Sequence, residues 1–333
     1  MTELPLSVLD VAPVAANGSA GEALRFTTEL ARRTEALGYR RFWVAEHHNM
    51  PAIASSSPAV LLAHLAAATT TIRVGSGGVM LPNHAPLVVA EQFGTLEALH
   101  PGRIDLGIGR APGTDQYTAL ALRRTMEGLS AENFPEELQS LIGYFTGGER
   151  ILASPGHGER PEVWLLGSSG FSAQLAGLMG LPFAFAHHFS SQNTLPALEL
   201  YRRTFRPSEV LDRPYAMVAV SATVAETDEE AEFLAGPASL SFLRLRSGRP
   251  EALATPEEAA AYPYTPRERE FVLERRAGQA LGSPATARRQ LTELLEQTQA
   301  DEFMLTCMVY DLKARIRSFE LVRQEIAPHL RTS

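Results

Sequence analysis

Short apolar runs alternate with stretches of helical periodicity along this chain. Residues 72–75 and 104–108 form two such runs, and residues 86–99 between them carry apolar side chains at helical spacing. A His-Pro-Gly turn at residues 100–102 separates this helical stretch from the second run. The pattern predicts a strand–helix–strand unit with the right-handed crossover that is typical of parallel strands.

The same alternation extends along the sequence and predicts eight strands. They are expected near residues 4–10, 40–46, 72–77, 103–108, 162–167, 182–187, 215–223 and 302–308, with helices in the intervals. The expected fold class is therefore α/β, a (β/α)8 TIM barrel. A doubly wound open sheet is the alternative, because alternation alone does not distinguish a closed sheet from an open one. No repeat or linker divides residues 1–333, so we expect a single domain.

Two stretches are too long for ordinary loops and lie on the side of the predicted barrel where active sites form. Residues 111–133 follow the fourth predicted strand, and residues 226–280 follow the seventh. The second stretch contains helical patterns near residues 229–233 and 266–276. We interpret residues 225–280 as an insertion that acts as a lid; the alternative is a surface excursion without a gating role.

The composition favours a compact soluble enzyme. Hydrophobic residues make up 45% of the chain, and the formal net charge is -8 without any basic run, which speaks against nucleic acid as a partner. We expect no membrane span, because the sequence has no apolar run of about eighteen residues. The first ten residues lack a basic segment, so we expect a cytoplasmic protein. The single Cys307 excludes an internal disulfide framework and a cysteine-rich metal site.

Two histidine pairs follow predicted strands. His47 and His48 are expected at the end of the second strand, and His187 and His188 at the end of the sixth. Because adjacent strand residues face opposite sides, only one histidine of each pair can face the barrel mouth. Barrel hydrolases commonly bind metal through His-x-His, which this chain lacks, so we predict no metal site. The pair at 187–188 is interpreted as pocket wall.

Groups suited to a phosphate follow the fourth and fifth predicted strands. Arg110 provides a guanidinium, while Gly167, Ser168 and Ser169 precede a helix that carries Ser172 in its first turn. Neighbouring barrel strands would bring these groups together. Taken singly, such an arginine more often forms a surface ion pair than binds a ligand, and the serines could cap the helix.

Together with AEHHN at residues 45–49 and WLLGSSGFSAQLAGLMGLPFAFA from Trp164, these motifs resemble the bacterial luciferase-like flavin-dependent monooxygenases. The resemblance implies a TIM-barrel enzyme that uses reduced FMN, supplied by a separate flavin reductase, and O2 to oxygenate a small organic substrate. Two alternatives remain open. One is a hydride-transfer enzyme that uses the deazaflavin F420, and the other is a flavin-binding protein without turnover.

The resemblance also implies roles for individual residues. His47 would be the catalytic acid/base, and a non-proline cis peptide between Gly77 and Gly78 would support the flavin ring. The FMN phosphate would be bound by Arg110, Gly167, Ser168, Ser169 and Ser172. Members of this family commonly dimerise, so we expect a homodimer that pairs the helices near residues 58–68 and 88–99.

Overall fold

The structure is a computed structural model that describes residues 2–111, 115–123 and 132–332. Eight parallel strands form a closed barrel, which confirms the predicted fold class. A ninth short strand lies outside the barrel. In chain order the strands are β1 (Leu6–Asp10), β2 (Arg41–Val44), β3 (Arg73–Met80), β4 (Ile104–Gly109), β5 (Glu162–Gly167), β6 (Phe183–Phe185), β7 (Ala216–Val224), β8 (Ala280–Gly282) and β9 (Glu302–Thr306).

The barrel closes where the last strand meets the first. β9 pairs with both β1 and β7, and β6 also pairs with β7, so the alternative of an open sheet is wrong. β8 was not predicted; it pairs with the end of β7 above the barrel, with Ala280 opposite Ala222. So short a strand contains too few residues for its periodicity to be visible in the sequence.

Helices surround the barrel and begin at the local signals that the sequence contains. Ser19 and Glu22 form a capping box at α1, and proline begins α2 and α3. Among the described helices, none is long and apolar enough to cross a membrane. The helices are α1 (Ala20–Ala36), α2 (Pro58–Ala68), α3 (Pro86–Leu99), α4 (Gln116–Arg123), α5 (Phe134–Thr146), α6 (Gly170–Met179), α7 (Thr194–Thr204), α8 (Asp228–Arg246), α9 (Pro256–Ala261), α10 (Pro266–Arg276), α11 (Pro284–Thr298) and α12 (Leu312–Leu321).

A buried ion network fills the end of the barrel where the strands begin. The guanidinium of Arg41 lies 2.9 Å from Asp105, 3.1 Å from Glu162 and 3.2 Å from Glu302. Arg73 also pairs with Asp105, at 2.6 Å. We call these five residues the floor network. They close the barrel at the end where the strands begin. We call the opposite end, where the strands finish, the mouth.

A layer of tryptophans lies between the floor network and the mouth. Trp43 and Trp164 pack edge to face at 5.4 Å between ring centroids. The Trp43 ring occupies the space that glycines on β3 leave. A Cβ atom at Gly75 would lie 2.6 Å from Trp43 Nε1, and one at Gly77 would lie 3.2 Å from Trp43 Cε3. Any ligand in the mouth is therefore limited in depth by Trp43.

Both insertions occur where the sequence places them. In the first one, residues 112–114 and 124–131 lie outside the described residues, and α4 is the helix described within it. The second contains α8, α9 and α10, and α10 matches the predicted helix at residues 266–276. α8 is longer than the predicted piece at residues 229–233 because it continues through Pro237. Proline lacks a backbone N–H and usually ends a helix, so the sequence around Pro237 indicated a shorter helix.

Candidate functional site

A buried carboxylate, Glu46, is the centre of a hydrogen-bond cluster in the loop after β2. Nε2 of His48 and Nε2 of His84 each lie 2.9 Å from Glu46 Oε1, and the Asn83 amide donates to the same oxygen at 3.0 Å. The backbone N–H of Met80 donates to Oε2 at 2.9 Å. Burial opposes ionisation of Glu46, but the bonds from His84, Asn83 and His48 outweigh it and lower its pKa. The ionised carboxylate therefore fixes His48 and the end of β3.

His47 and His48 were predicted to lie at the end of a strand. This prediction is wrong, because β2 already ends at Val44. The backbone N–H of His47 instead donates to the carbonyl of Ser55 at 3.0 Å. This contact to a neighbouring loop replaces strand pairing, so the rule of alternating strand faces does not decide where the two side chains point. His48 turns to the Glu46 cluster.

The second histidine pair also lies beyond its strand, because β6 ends at Phe185. His187 is buried and bonds to the hydroxyl of Thr194 at the start of α7, at 2.8 Å. His47 is one of the neighbouring groups whose charge lowers the pKa of His188. β2 and β6 stand on opposite sides of the barrel, and both histidines follow the ends of these strands, so both residues lie at the mouth.

The environment of His188 determines its protonation state. Its Nδ1–H donates to the carbonyl of Ala219 at 3.1 Å. Burial is the main cause that lowers the pKa of His188 to about 4, and Arg275, His187 and His47 lower it further against the effect of the Ala219 bond. His188 is therefore neutral near pH 7. Because a carbonyl only accepts, the proton is on Nδ1 and the lone pair is on Nε2.

The peptide bond between Gly77 and Gly78 is cis, as the resemblance implies. The pairing register with β4 also shifts here, between Gly77 and Val79. A Cβ atom at Gly78 would lie 2.4 Å from Leu166 Cδ1 and 2.8 Å from the carbonyl oxygen of Gly107. Packing against protein atoms thus requires glycine here. A role in supporting a cofactor ring would be additional.

Arg110 lies over the start of α6. Its guanidinium carbon is 4.2 Å from the ring centroid of Phe171, the second residue of that helix. In the described parts of the chain, no carboxylate forms an ion pair with Arg110, and the first turn of α6 contains no acidic residue. Within the described residues, Arg110 therefore does not form the surface ion pair considered as the alternative. Its guanidinium instead lies next to the N-terminus of α6.

The predicted glycine and serines surround the same helix start. Ser169 is the N-cap residue, but its side chain makes no capping hydrogen bond, which leaves the capping alternative without its expected contact. Ser168 is half-buried, whereas Ser169 is exposed. Ser172 is buried beneath Gly167, where an added Cβ would lie 2.6 Å from the Ser172 Cβ. The structure therefore brings the guanidinium, hydroxyls and helix N–H groups together, as expected for neighbouring strands.

The sequence analysis did not identify several residues of the mouth. Glu46 is part of the motif AEHHN, and a carboxylate directly after an apolar strand was a signal that could have identified it. His84 and Phe171 had no such signal, because their roles depend on contacts with distant residues. Within the described ranges, no group of three or more His, Cys, Asp or Glu side chains could hold a metal ion.

Comparisons with known proteins agree with this architecture. The sequence profile of the luciferase-like monooxygenases matches residues 4–302. The protein YvbT of Bacillus subtilis (strain 168) is 52% identical and is aligned over 95% of each chain. A luciferase-like monooxygenase of Escherichia coli (strain K12) is 46% identical over 97% of this chain and 98% of its own. The crystal structure of apo-MsnO8 is similar with a TM-score of 0.90 and 37% identity, over 99% of this chain and 100% of that one.

Proposed function

We propose that this chain, which belongs to the luciferase-like monooxygenase family and is an enzyme, is a two-component flavin-dependent monooxygenase. A separate flavin reductase would supply reduced FMN, and the reaction would use O2 to oxygenate a small organic substrate. The observation that carries the proposal is the position of Arg110. This guanidinium lies on Phe171 at the N-terminus of α6, without a carboxylate partner in the described residues.

The residues at this place fit the phosphate of FMN. A phosphate dianion is bound by helix N–H groups, hydroxyl donors and a guanidinium fork, and all three kinds of donor occur here. The donors that we assign are Arg110, Gly167, Ser168, Ser169 and Ser172. We therefore propose that α6 and the end of β4 hold the phosphate.

The flavin ring would then lie in the mouth above Trp43. We propose that the Gly77–Gly78 peptide supports the ring and that His47 acts as the acid/base beside it. When bound, reduced FMN supplies the electrons with which O2 is activated. His47 contributes an imidazole, the side chain that most often takes or gives a proton in catalysis. Residues 225–280, with α8 and α10, would act as a lid within a single domain that spans residues 1–333.

The fold alone leaves the choice between FMN and F420 open. A neighbour described as the oxygenating constituent of 3,6-diketocamphane monooxygenase, in complex with FMN, has a TM-score of 0.75 at 20% identity. An F420-dependent secondary alcohol dehydrogenase has a TM-score of 0.68 at 14% identity. A relative at 33% identity over 96% of this chain, from Bacillus subtilis (strain 168), is named N-acetyl-S-alkylcysteine monooxygenase. That name favours oxygenation over hydride transfer, and we propose FMN.

Replacing Arg110 with alanine tests the phosphate assignment. The Arg110→Ala variant is expected to lose about 1.5–3 kcal/mol of FMN binding, the usual contribution of a charged hydrogen bond. Binding of riboflavin, which has no phosphate, should change little. Fluorescence titration with both ligands measures the difference, and Arg203→Ala, an exposed arginine on α7, is the control. Equal losses for FMN and riboflavin would refute the assignment, and tighter binding of reduced F420 than of reduced FMN would favour the hydride-transfer alternative.

We also propose that the enzyme is a cytoplasmic homodimer. α2 and α3 expose Val60, Val88 and Leu99, which are 72%, 44% and 66% accessible, and such an apolar face suits a symmetric contact. Light scattering at micromolar concentration should give the mass of a dimer for the native chain and of a monomer for Val60→Arg. Val210→Arg, at an exposed site remote from α2, should remain dimeric. A monomeric native chain would contradict this prediction.

A further inference from the structure

A cavity of about 280 Å³ lies between the turn after β6 and the insertion helices α8 and α10. Three aromatic rings wall it. Phe242 and Phe271 are stacked with centroids 5.9 Å apart, and Phe189 meets Phe242 edge-on at 6.5 Å. His188, which follows β6 at the barrel mouth, lines the same cavity. The cavity therefore adjoins the candidate active site.

One cation in this cavity has no counterion. The guanidinium of Arg275 lies 4.2 Å from the ring centroid of Phe242, and within the described ranges it forms neither an ion pair nor a hydrogen bond. Its Nε is buried without a hydrogen-bond partner. The next residue is different, since Arg276 pairs with Glu232. A half-buried charge without a partner is costly, and such a group is a candidate for ligand binding.

The remaining charges at the cavity do not neutralise Arg275. Glu274 and Arg246 line it as well, but both are exposed, so solvent screens their charges. Burial, and then the charge of Arg276, lower the pKa of Arg275 to about 10, so the group is still a cation at neutral pH. His188 is neutral there. The cavity thus presents a positive charge between aromatic walls.

We propose that this cavity binds the carboxylate end of an organic substrate with an apolar body, and the inference rests on the proposed function. Arg275 holds the carboxylate through its terminal N–H groups, because its Nε is buried. Phe189, Phe242 and Phe271 pack against the apolar body. The other end of the substrate extends past His188 toward His47, where the reaction would take place.

Calorimetric titration of the flavin-free protein tests this subsite. The probes are 3-phenylpropanoate and its neutral isostere 3-phenylpropanamide. The acid is expected to bind at least about tenfold more tightly than the amide, the effect of one charge-assisted contact. Arg275→Gln should abolish this preference while leaving amide binding unchanged, and Arg275→Lys should keep part of it. Arg203→Gln, at an exposed site on α7 outside the cavity, should behave as the native chain. Thermal denaturation shows that each variant is folded.

The inference is overturned by equal binding of acid and amide, by absence of acid binding at millimolar concentration, or by a preference that survives Arg275→Gln. It is also overturned if Arg275→Gln weakens FMN more than riboflavin, because Arg275 would then be a phosphate contact. The titration contains no flavin, so it separates the two proposals. Arg275-dependent acid binding in a protein without oxygenase activity would refute only the proposed function. Flavin-dependent oxygenation without acid preference would refute only the subsite.

Discussion

The His47→Ala variant is expected to oxygenate substrate about 10²- to 10⁴-fold more slowly than the native enzyme, the usual contribution of a positioned acid/base. His47 follows β2 at the barrel mouth, and its charge is one of the causes that lower the pKa of His188. The proposed phosphate site at the start of α6 does not involve His47. Affinity for FMN should therefore remain within a few-fold. A single-turnover assay with reduced FMN, O2 and a substrate found by screening measures the rate, and a flavin titration measures the affinity.

The neighbouring His48 provides the comparison for the His47→Ala variant. His48 bonds to the buried Glu46, so His48→Ala should lower the free energy of unfolding by about 1–3 kcal/mol, because it removes a donor from a buried carboxylate. Its effect on the chemical step should be small. His329→Ala, at an exposed site near the C-terminus, should change neither quantity. A His47→Ala variant with native turnover would show that the histidine is structural, and loss of turnover only in His48→Ala would reverse the assignment.

The barrel could be predicted from the sequence because its signal is local. Each strand is a short apolar run, and several helices begin at a serine or proline that can be identified without tertiary information. Closure could not be predicted in this way, since it depends on β9 pairing with both β1 and β7. The length of α8 was underestimated because Pro237 normally ends a helix, and here packing in the insertion overrides that preference.

The mouth was less predictable because its geometry is set by contacts between distant segments. The pair His47 and His48 was expected to follow strand alternation. However, β2 ends before these residues, and His48 bonds to the carboxylate of Glu46. His188 was interpreted only as pocket wall, because nothing near it in the sequence shows how strongly burial lowers its pKa. The convergence of Arg110 with α6 was predictable, since β4 and β5 are neighbours in any parallel barrel of this order.

The burial of the charged residues in the floor network also depends on tertiary structure. Arg41, Asp105 and Glu302 lie in the first two residues of three separate strands and look like surface positions in the sequence, yet each is at most 1% exposed. Burial opposes the charge of Arg41, but the carboxylates of Asp105, Glu302 and Glu162 raise its pKa above the usual value. The group is thus a permanent cation among buried anions.

Replacing this cation should have the largest effect on stability. Arg41→Met keeps much of the side-chain volume but leaves Glu302 buried without its nearest counterion and Asp105 paired with Arg73 alone, which is expected to cost about 3–5 kcal/mol. Urea unfolding followed by circular dichroism measures the change. Arg33→Met is the matched control, because Arg33 pairs with Glu29 at 2.7 Å on the exposed face of α1, where such a pair contributes only about 0–1 kcal/mol.

A second substitution distinguishes the loss of charge compensation from a general loss of packing. Adding Glu302→Gln to Arg41→Met removes one of the uncompensated carboxylates, so the double variant should be more stable than Arg41→Met alone, which a double-mutant cycle quantifies. If the two losses instead added, the carboxylates would not depend on Arg41 for their stability. Because Trp43 donates to the same Asp105 carboxylate at 2.8 Å, the tryptophan that limits the mouth is anchored to this network. Arg41→Met should therefore also weaken FMN binding, although Arg41 lies at the opposite end of the barrel from the proposed site.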